Sequence, residues 1–280
     1  MTVCIGLCVY KNEFGLPYIF KNIERIQTLF KEKIEIVVGY DESSDTSLGF
    51  LISKLKTFNI HILKNNTATT NVRVDNICNA RNNILHYIRE TFPETTYMIM
   101  MDSNEYACIG EISLDVLKET FIRENEWDAI SFDREAGYYD HWALSFDPFI
   151  YSFLHTMDYA KTVGILRDCF GKMMENAKKN PENLIPVFSA FNGFSIYKWS
   201  VFKDCKYKTD IDISLFPREL VEKQMNITGI PIMNRFDGDC EHRHFHLQAI
   251  KTKNARIRIL PKSLFAIFHG EKKKVCRGPC

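Results

Sequence analysis

The stretch Tyr97-Met98-Ile99-Met100-Met101-Asp102-Ser103-Asn104-Glu105 decides how this chain is read. Four apolar residues, Met98 to Met101, run without polar alternation into an acidic, oxygen-rich step. Such a run fits a strand buried on both faces, as in the middle of a parallel sheet. The step sets Asp102 and Asn104 two residues apart, with Glu105 alongside. Open α/β sheets bind their ligands beyond the carboxyl ends of the strands, where these oxygens fall. Oxygen donors suit Mg²⁺ or Mn²⁺, and either ion can hold a diphosphate. The plainer reading is a strand followed by a turn, since Asp, Asn and Ser favour turns.

Outward from this stretch the chain has a rhythm. Strands are expected at Val3–Tyr10, Ile34–Val38, Ile60–Leu63, Tyr97–Met101 and Asp128–Phe132. Helical spacing fills the gaps at Leu16–Phe30, Thr46–Lys56, Asp75–Arg89 and Leu114–Arg123. Strands alternating with helices, roughly 25–35 residues apart, predict a parallel, right-handed α/β sheet. A long helix is expected over about residues 150–177, and a loop at Lys178-Lys179-Asn180-Pro181-Glu182-Asn183. Several strands end in polar tips: Lys11-Asn12-Glu13, then Asp41-Glu42-Ser43-Ser44-Asp45, then Asp102-Ser103-Asn104-Glu105. In a parallel sheet these tips converge on one crevice.

Composition bounds the function. The chain has 280 residues, 45% of them hydrophobic, enough for a large core. A formal net charge of +1 gives no global pull toward nucleic acid or anionic membrane. No run of about 18 apolar residues occurs, so no transmembrane segment is expected. The nine cysteines include no Cys-x-x-Cys pair and read as buried free thiols in a reducing, cytoplasmic setting. The sequons at Asn65 and Asn226 would be idle there. Neither Gly-x-Gly-x-x-Gly nor a P-loop occurs, so a nucleotide must be gripped by a metal and basic side chains.

The order of elements resembles a GT-A glycosyltransferase, the nucleotide-sugar fold of family-2-type enzymes. Residues 3–13 resemble its opening strand ending in Tyr-x-Asn-Glu. Residues 36–46 resemble its second strand and Asp-x-Ser-x-Asp turn. Asn79-Ala80-Arg81-Asn82-Asn83-Ile84 resembles the helix before the metal strand, and Asp102-Ser103-Asn104 stands where the family carries Asp-x-Asp. Tyr138–Leu144, Asn192–Lys198 and Cys240-Glu241-His242 are similar to the fungal capsule-associated mannosyltransferase group. The resemblance covers nearly the whole chain. It implies one GT-A-like, Rossmann-type domain over 1–280, with a mostly parallel sheet flanked by helices. Residues 1–125 would form the nucleotide-sugar half, and 126–280 the acceptor half with a closing C-terminal segment. The departure is Asn104, which lowers the ligand charge unless Glu105 compensates.

The implied activity is metal-dependent transfer of a hexose or deoxyhexose from a UDP-, GDP- or dTDP-linked donor to a glycan, glycolipid or glycoprotein hydroxyl. Asp102, Asn104 and a late His269 would hold Mn²⁺ or Mg²⁺. Tyr10, Asn12, Glu13, Asp41 and Arg81 would line the nucleotide, and Lys272 and Lys273 would meet the diphosphate. Glu241 is the first choice for the base, Asp239 the second and Asp237 the third, because acceptor deprotonation needs one carboxylate. At a helix N-terminus, caps and the dipole favour the same residues. Tyr139, Asp140 and Trp142 would meet the acceptor, although aromatics more often pack the core. His242, His244 and His246 could instead bind zinc in a hydrolase. On a helix, however, only His242 and His246 share a face. Two other functions stay open: a nucleotidyltransferase making an activated sugar, and a glycan-binding module without catalysis.

Overall fold

The computed structural model describes residues 1–65, 72–104, 107, 110–135, 137–180, 182–210, 212–232 and 238–266. The strands are β1 (Thr2–Val9), β2 (Glu35–Tyr40), β3 (Asn59–Lys64), β4 (Thr95–Asp102), β5 (Glu111–Ile112), β6 (Ala129–Asp133), β7 (Ile185–Val187), β8 (Phe194–Lys198), β9 (Ile257–Ser263) and β10 (Phe265–Ala266). The helices are α1 (Leu16–Gln27), α2 (Ser47–Lys54), α3 (Arg73–Thr91), α4 (Leu114–Ile122), α5 (Tyr159–Lys179), α6 (Trp199–Phe202), α7 (Arg218–Thr228) and α8 (Glu241–Lys253).

Eight strands form one sheet in the order β3-β2-β1-β4-β8-β6-β9-β7, and β5 and β10 pair as a separate ribbon. β3, β2, β1 and β4 are mutually parallel. β8 runs antiparallel between β4 and β6, β9 is parallel to β6, and β7 is antiparallel at the edge. The carboxyl ends of β1, β2, β4 and β6 therefore share one edge. β8 enters the sheet from that same edge, which brings Asn192 and Gly193 beside the tip of β4.

The period-two pleat sorts the core into two layers. Val3, Ile5, Leu7 and Val9 of β1, with Tyr97, Ile99 and Met101 of β4, pack against α1 through Leu16, Ile19, Phe20 and Ile23. Cys4, Met98 and Met100 face the other layer, with Ile84, Leu85 and Ile88 of α3 and Phe245 of α8. Asp102 has the parity of Met98 and Met100, so it leaves the strand on the α3 side. α3 sits close because two glycines face it. A Cβ on Gly39 would lie 3.1 Å from the Ala80 carbonyl oxygen, and one on Gly6 would lie 3.0 Å from Ile84 Cγ2. That approach delivers the next residue, Arg81, to the strand tips.

The five expected strands and four expected helices of the first 133 residues all form, with ends shifted by a few positions. The long helix begins later than expected, at Tyr159, because Asp158 caps it by accepting from Lys161 N at 3.0 Å. Ahead of it lies a buried polar segment that includes Ser152, His155 and Thr156. The late apolar strand expected before His269 is represented among the described residues by the two-residue β10. The longer strand there is β9. No described helix is long and apolar enough to cross a membrane.

Candidate active site

A buried ion cluster lies at the carboxyl end of β4. Arg81, 4% exposed, donates through Nη2 to Asp102 Oδ1 at 3.0 Å and through Nη1 to Glu241 Oε1. Nη1 also meets His242 Nε2. The guanidinium carbon lies 4.8 Å from the centre of the Phe191 ring and 5.6 Å from that of Tyr207. Tyr207 is fixed by Asn82, whose side-chain amide pairs with its backbone N–H and C=O, both at 2.9 Å. Asn83 meets Asn65 at 2.7 Å, and Asn65 meets Asp41 Oδ1 at 2.7 Å. The Arg-Asn-Asn run of α3 thus links the β4 tip, the Tyr207 segment and the β2 tip.

One guanidinium serves two carboxylates. Burial pushes both Asp102 and Glu241 above the usual carboxylate range, and the shared Arg81 does not cancel it. Burial alone would lower Arg81, but Glu241 and Asp102 together hold it well above its ordinary value. Arg73, at the head of α3, and Arg134, at the end of β6, add positive potential at Asp102. Burial, reinforced by Arg81 and His246, keeps His242 neutral far below its usual range. Its Nε2 then accepts from Arg81, and its ring stacks on Phe191 at 3.8 Å.

The other expected site residues divide. Ser103 is buried and donates to Cys8 O and, at 2.9 Å, to Asn12 Oδ1. Asn12 N donates to Ser47 Oγ at 2.9 Å. Glu13 accepts from Thr46 N and Oγ1 at 3.1 and 2.8 Å, so the β1 loop is stapled to the start of α2. Tyr10 is half exposed at the rim. Asn104 Oδ1 accepts from Ala107 N at 2.9 Å. Glu105, Asp237, His269, Lys272 and Lys273 lie outside the described residues. Among the described residues no group of three or more His, Cys, Asp or Glu is placed to hold a metal ion. Asp102 is 23% exposed by its side chain. It and the Asn104 carbonyl fit a cation that takes its remaining ligands from phosphates and water.

Two expectations for the second half need adjustment. Asp239, the second choice of base, is engaged elsewhere. Its Oδ2 accepts from Arg243 Nε at 2.8 Å and its Oδ1 from Cys240 N at 2.7 Å. Burial raises it, but Arg243 and His155 lower it further, and it ends below the usual range. The histidines do not gather. His246 bonds Ser189 Oγ at 2.9 Å and Tyr197 OH at 3.2 Å, which occupies both ring nitrogens inside the core. Arg81 also differs from an exposed phosphate hook, because its two η-nitrogens are committed to side chains.

Asp140 and Asn192 form a latch over the edge. Asn192 Oδ1 accepts from Tyr139 N at 3.1 Å, and its Nδ2 donates to Phe132 O at 2.8 Å. Asp140 accepts from Ala143 N at 3.1 Å and Asn192 N at 3.3 Å. Burial pushes its carboxyl up to about 6, beyond what those amides lower. Gly193, at φ +84°, donates no side chain: a Cβ there would meet Ala107 Cβ at 2.6 Å and the Tyr139 hydroxyl at 2.8 Å. Its carbonyl accepts from Asp102 N at 2.9 Å. Tyr139 lies exposed under Arg134, 5.2 Å from guanidinium carbon to ring centre. Trp142 is half-buried against the core, and its indole nitrogen has no hydrogen-bond partner among the described residues. Sequence reasoning missed Asn192, Phe191, Tyr207, Arg73 and Arg134. Only the Asn192-Gly193 pair carried a local signal, that of a turn.

No family model matches the sequence, and no curated protein sequence matches it. Among solved structures, S. aureus TarS 1-349 in complex with UDP matches with a TM-score of 0.50 at 15% identity, over 95% of this chain and 59% of that one. The fold is GT-A-like. A second structure of S. aureus TarS gives 0.50 at 16% identity, over 95% of this chain and 36% of that one. The TarS 1-349 complex with UDP-GlcNAc gives 0.49 at 16% identity, over 95% and 57%. The GT-A-like chain spans less than two-thirds of each of these TarS chains.

Proposed function

We propose that this chain is a glycosyltransferase that takes a sugar from a nucleoside-diphosphate donor. The observation that carries the reading is the meeting of Asp102 and Glu241 on Arg81 at the carboxyl edge of a GT-A-like sheet. A transferase needs a donor-side carboxylate and an acceptor-side base at one such edge. Glu241 accepts the proton of the acceptor hydroxyl. Burial raises its affinity for protons, the direction a general base needs. Arg73 and Arg134 stand where charge on a departing diphosphate would be neutralised, the part the sequence had assigned to Lys272 and Lys273. Asp102 and Asn104 would hold Mg²⁺ or Mn²⁺, which would supply charge neutralisation at the diphosphate. The latch of Asp140 and Asn192 sets the acceptor side, with Tyr139 and Trp142 as its aromatic surface.

UDP is the first nucleotide to test, because the TarS structure named with UDP shares the fold. GDP-linked sugars follow, given the similarity to the capsule-associated mannosyltransferase group. The acceptor is a glycan, glycolipid or glycoprotein hydroxyl. The deciding experiment offers UDP-, GDP- and dTDP-sugars with Mn²⁺ and mixed glycan acceptors, then measures nucleoside diphosphate release and sugar transfer. Release of no diphosphate from any donor defeats the reading. Glycan binding without release would support a non-catalytic module, the alternative that Asn104 in place of a second carboxylate keeps open.

A further inference from the structure

We propose that Arg81 is a positioning residue, and that its forked guanidinium sets the Glu241 base in register with the donor-side carboxylate Asp102. The proposal rests on the transferase reading and goes beyond it by assigning a residue that touches neither sugar nor nucleotide. Glu241 and Asp102 come from α8 and β4, elements with no strand pairing between them. Arg81, from α3, joins both through Nη1 and Nη2. A planar fork fixes the directions of its two arms, which a lysine ammonium cannot do. The fork is itself held. Phe191 and Tyr207 flank its plane, Asn82 pins Tyr207, and Gly39 lets α3 approach the sheet. His242, with Nε2 as an acceptor, takes a further contact from the same nitrogen that binds Glu241. Among the described residues the Nε of Arg81 is buried with no hydrogen-bond partner. The guanidinium is thus placed by its two carboxylates and its ring contacts, not by a saturated network.

The site also carries two carboxylates against one guanidinium. Without the fork, like charges would drive Asp102 and Glu241 apart, and a displacement near 1 Å costs about 10²-fold in rate.

Arg81→Lys tests this by keeping the charge and removing the fork. The expected result is a fall in kcat of about 10²-fold, with donor KM changed by less than about threefold. UDP affinity by calorimetry should stay close to wild type. The crystal structure of Arg81→Lys should show the Glu241 carboxylate turned from its place. Arg81→Met should be at least as slow as Arg81→Lys, and the lysine variant should not rescue it to wild-type rates. A wild-type kcat in Arg81→Lys overturns the proposal. So does weakened UDP binding with kcat intact, which would make Arg81 a phosphate ligand. A loss of rate that merely follows the unfolded fraction would assign it a structural role and also overturns it. If wild type consumes no nucleotide sugar, the transferase reading fails separately. The crystallographic arm then still decides: an unmoved Glu241 in Arg81→Lys overturns the positioning role.

Discussion

Two buried arginines, Arg81 and Arg243, use their hydrogen-bond capacity differently. Every nitrogen of Arg243 has a partner. Nε pairs with Asp239, Nη1 donates to Leu144 O at 3.1 Å and to Ser145 Oγ, and Nη2 donates to Trp142 O. It has one carboxylate to itself, and that carboxylate is lowered. Arg81 has two carboxylates, both raised, and its Nε has no partner among the described residues. An ion pair with every guanidinium nitrogen partnered welds α8 to the 142–145 loop. An under-compensated cluster at the strand tips is electrostatically incomplete, which is the condition of a site that a charged ligand completes. The contrast separates the partners of Asp239, which are Arg243 and the Cys240 amide, from that of Glu241, which is Arg81, although both sit within two residues of Cys240.

The largest expected effect tests the chemical side. Glu241→Gln keeps shape and hydrogen bonding but cannot take a proton, so transfer should fall by about 10²–10⁴ with an unchanged thermal melt. Near-normal turnover with a lowered melt would reverse the contrast. Arg243→Met leaves Asp239 buried without its guanidinium partner and should destabilise the fold by about 3–5 kcal/mol in denaturant titration. The double variant with Asp239→Asn should recover much of that loss, because the stranded charge is gone. A mild Arg243→Met would mean that the pair is not the weld described here.

A smaller effect concerns Asp140, in the latch with Asn192. Its carboxyl is raised from 3.8 to about 6 in the folded protein, so folding favours its protonated form. That contribution is fully present below about pH 4 and is lost as pH rises through about 6. Relative to Asp140→Asn, wild type should lose about 2 kcal/mol of stability between about pH 4 and pH 7. Parallel stability curves for the two proteins would remove the burial argument. The smallest effect is at the exposed end of the Arg81 cluster. Asp102→Ala should weaken UDP binding in Mn²⁺ by about tenfold, near 1.4 kcal/mol, and abolish its sensitivity to EDTA. Equal UDP affinity with and without EDTA in wild type would reject a shared cation.

Much of the first half was legible in the sequence. Buried strands of a parallel sheet are continuous apolar runs, and Val3–Val9 and Met98–Met101 are such runs bounded by polar tips. The amphipathic spacing of Leu16, Ile19, Phe20 and Ile23 marked α1 in the same way. α8 shows the limit. Glu241, His242, Arg243 and His246 are polar, yet all are buried, because each finds partners from distant segments or stacks on a ring. Hydrophobic periodicity cannot foresee that satisfaction. The separate roles of Asp239 and Glu241 were equally hidden, since adjacent acidic residues look alike until their partners are known.

By itself the sequence determined the α/β order and the polar strand tips. These follow from local periodicity and from the pleat, which act over a few residues. Only the tertiary structure decided which carboxylate is held by which arginine. Arg81 and Glu241 are 160 positions apart. Their pairing depends on how closely α3 approaches the sheet across Gly39 and on where α8 begins. A charge pair buried by packing has no signature in the spacing of either residue, because its energy arises only once both are removed from water together.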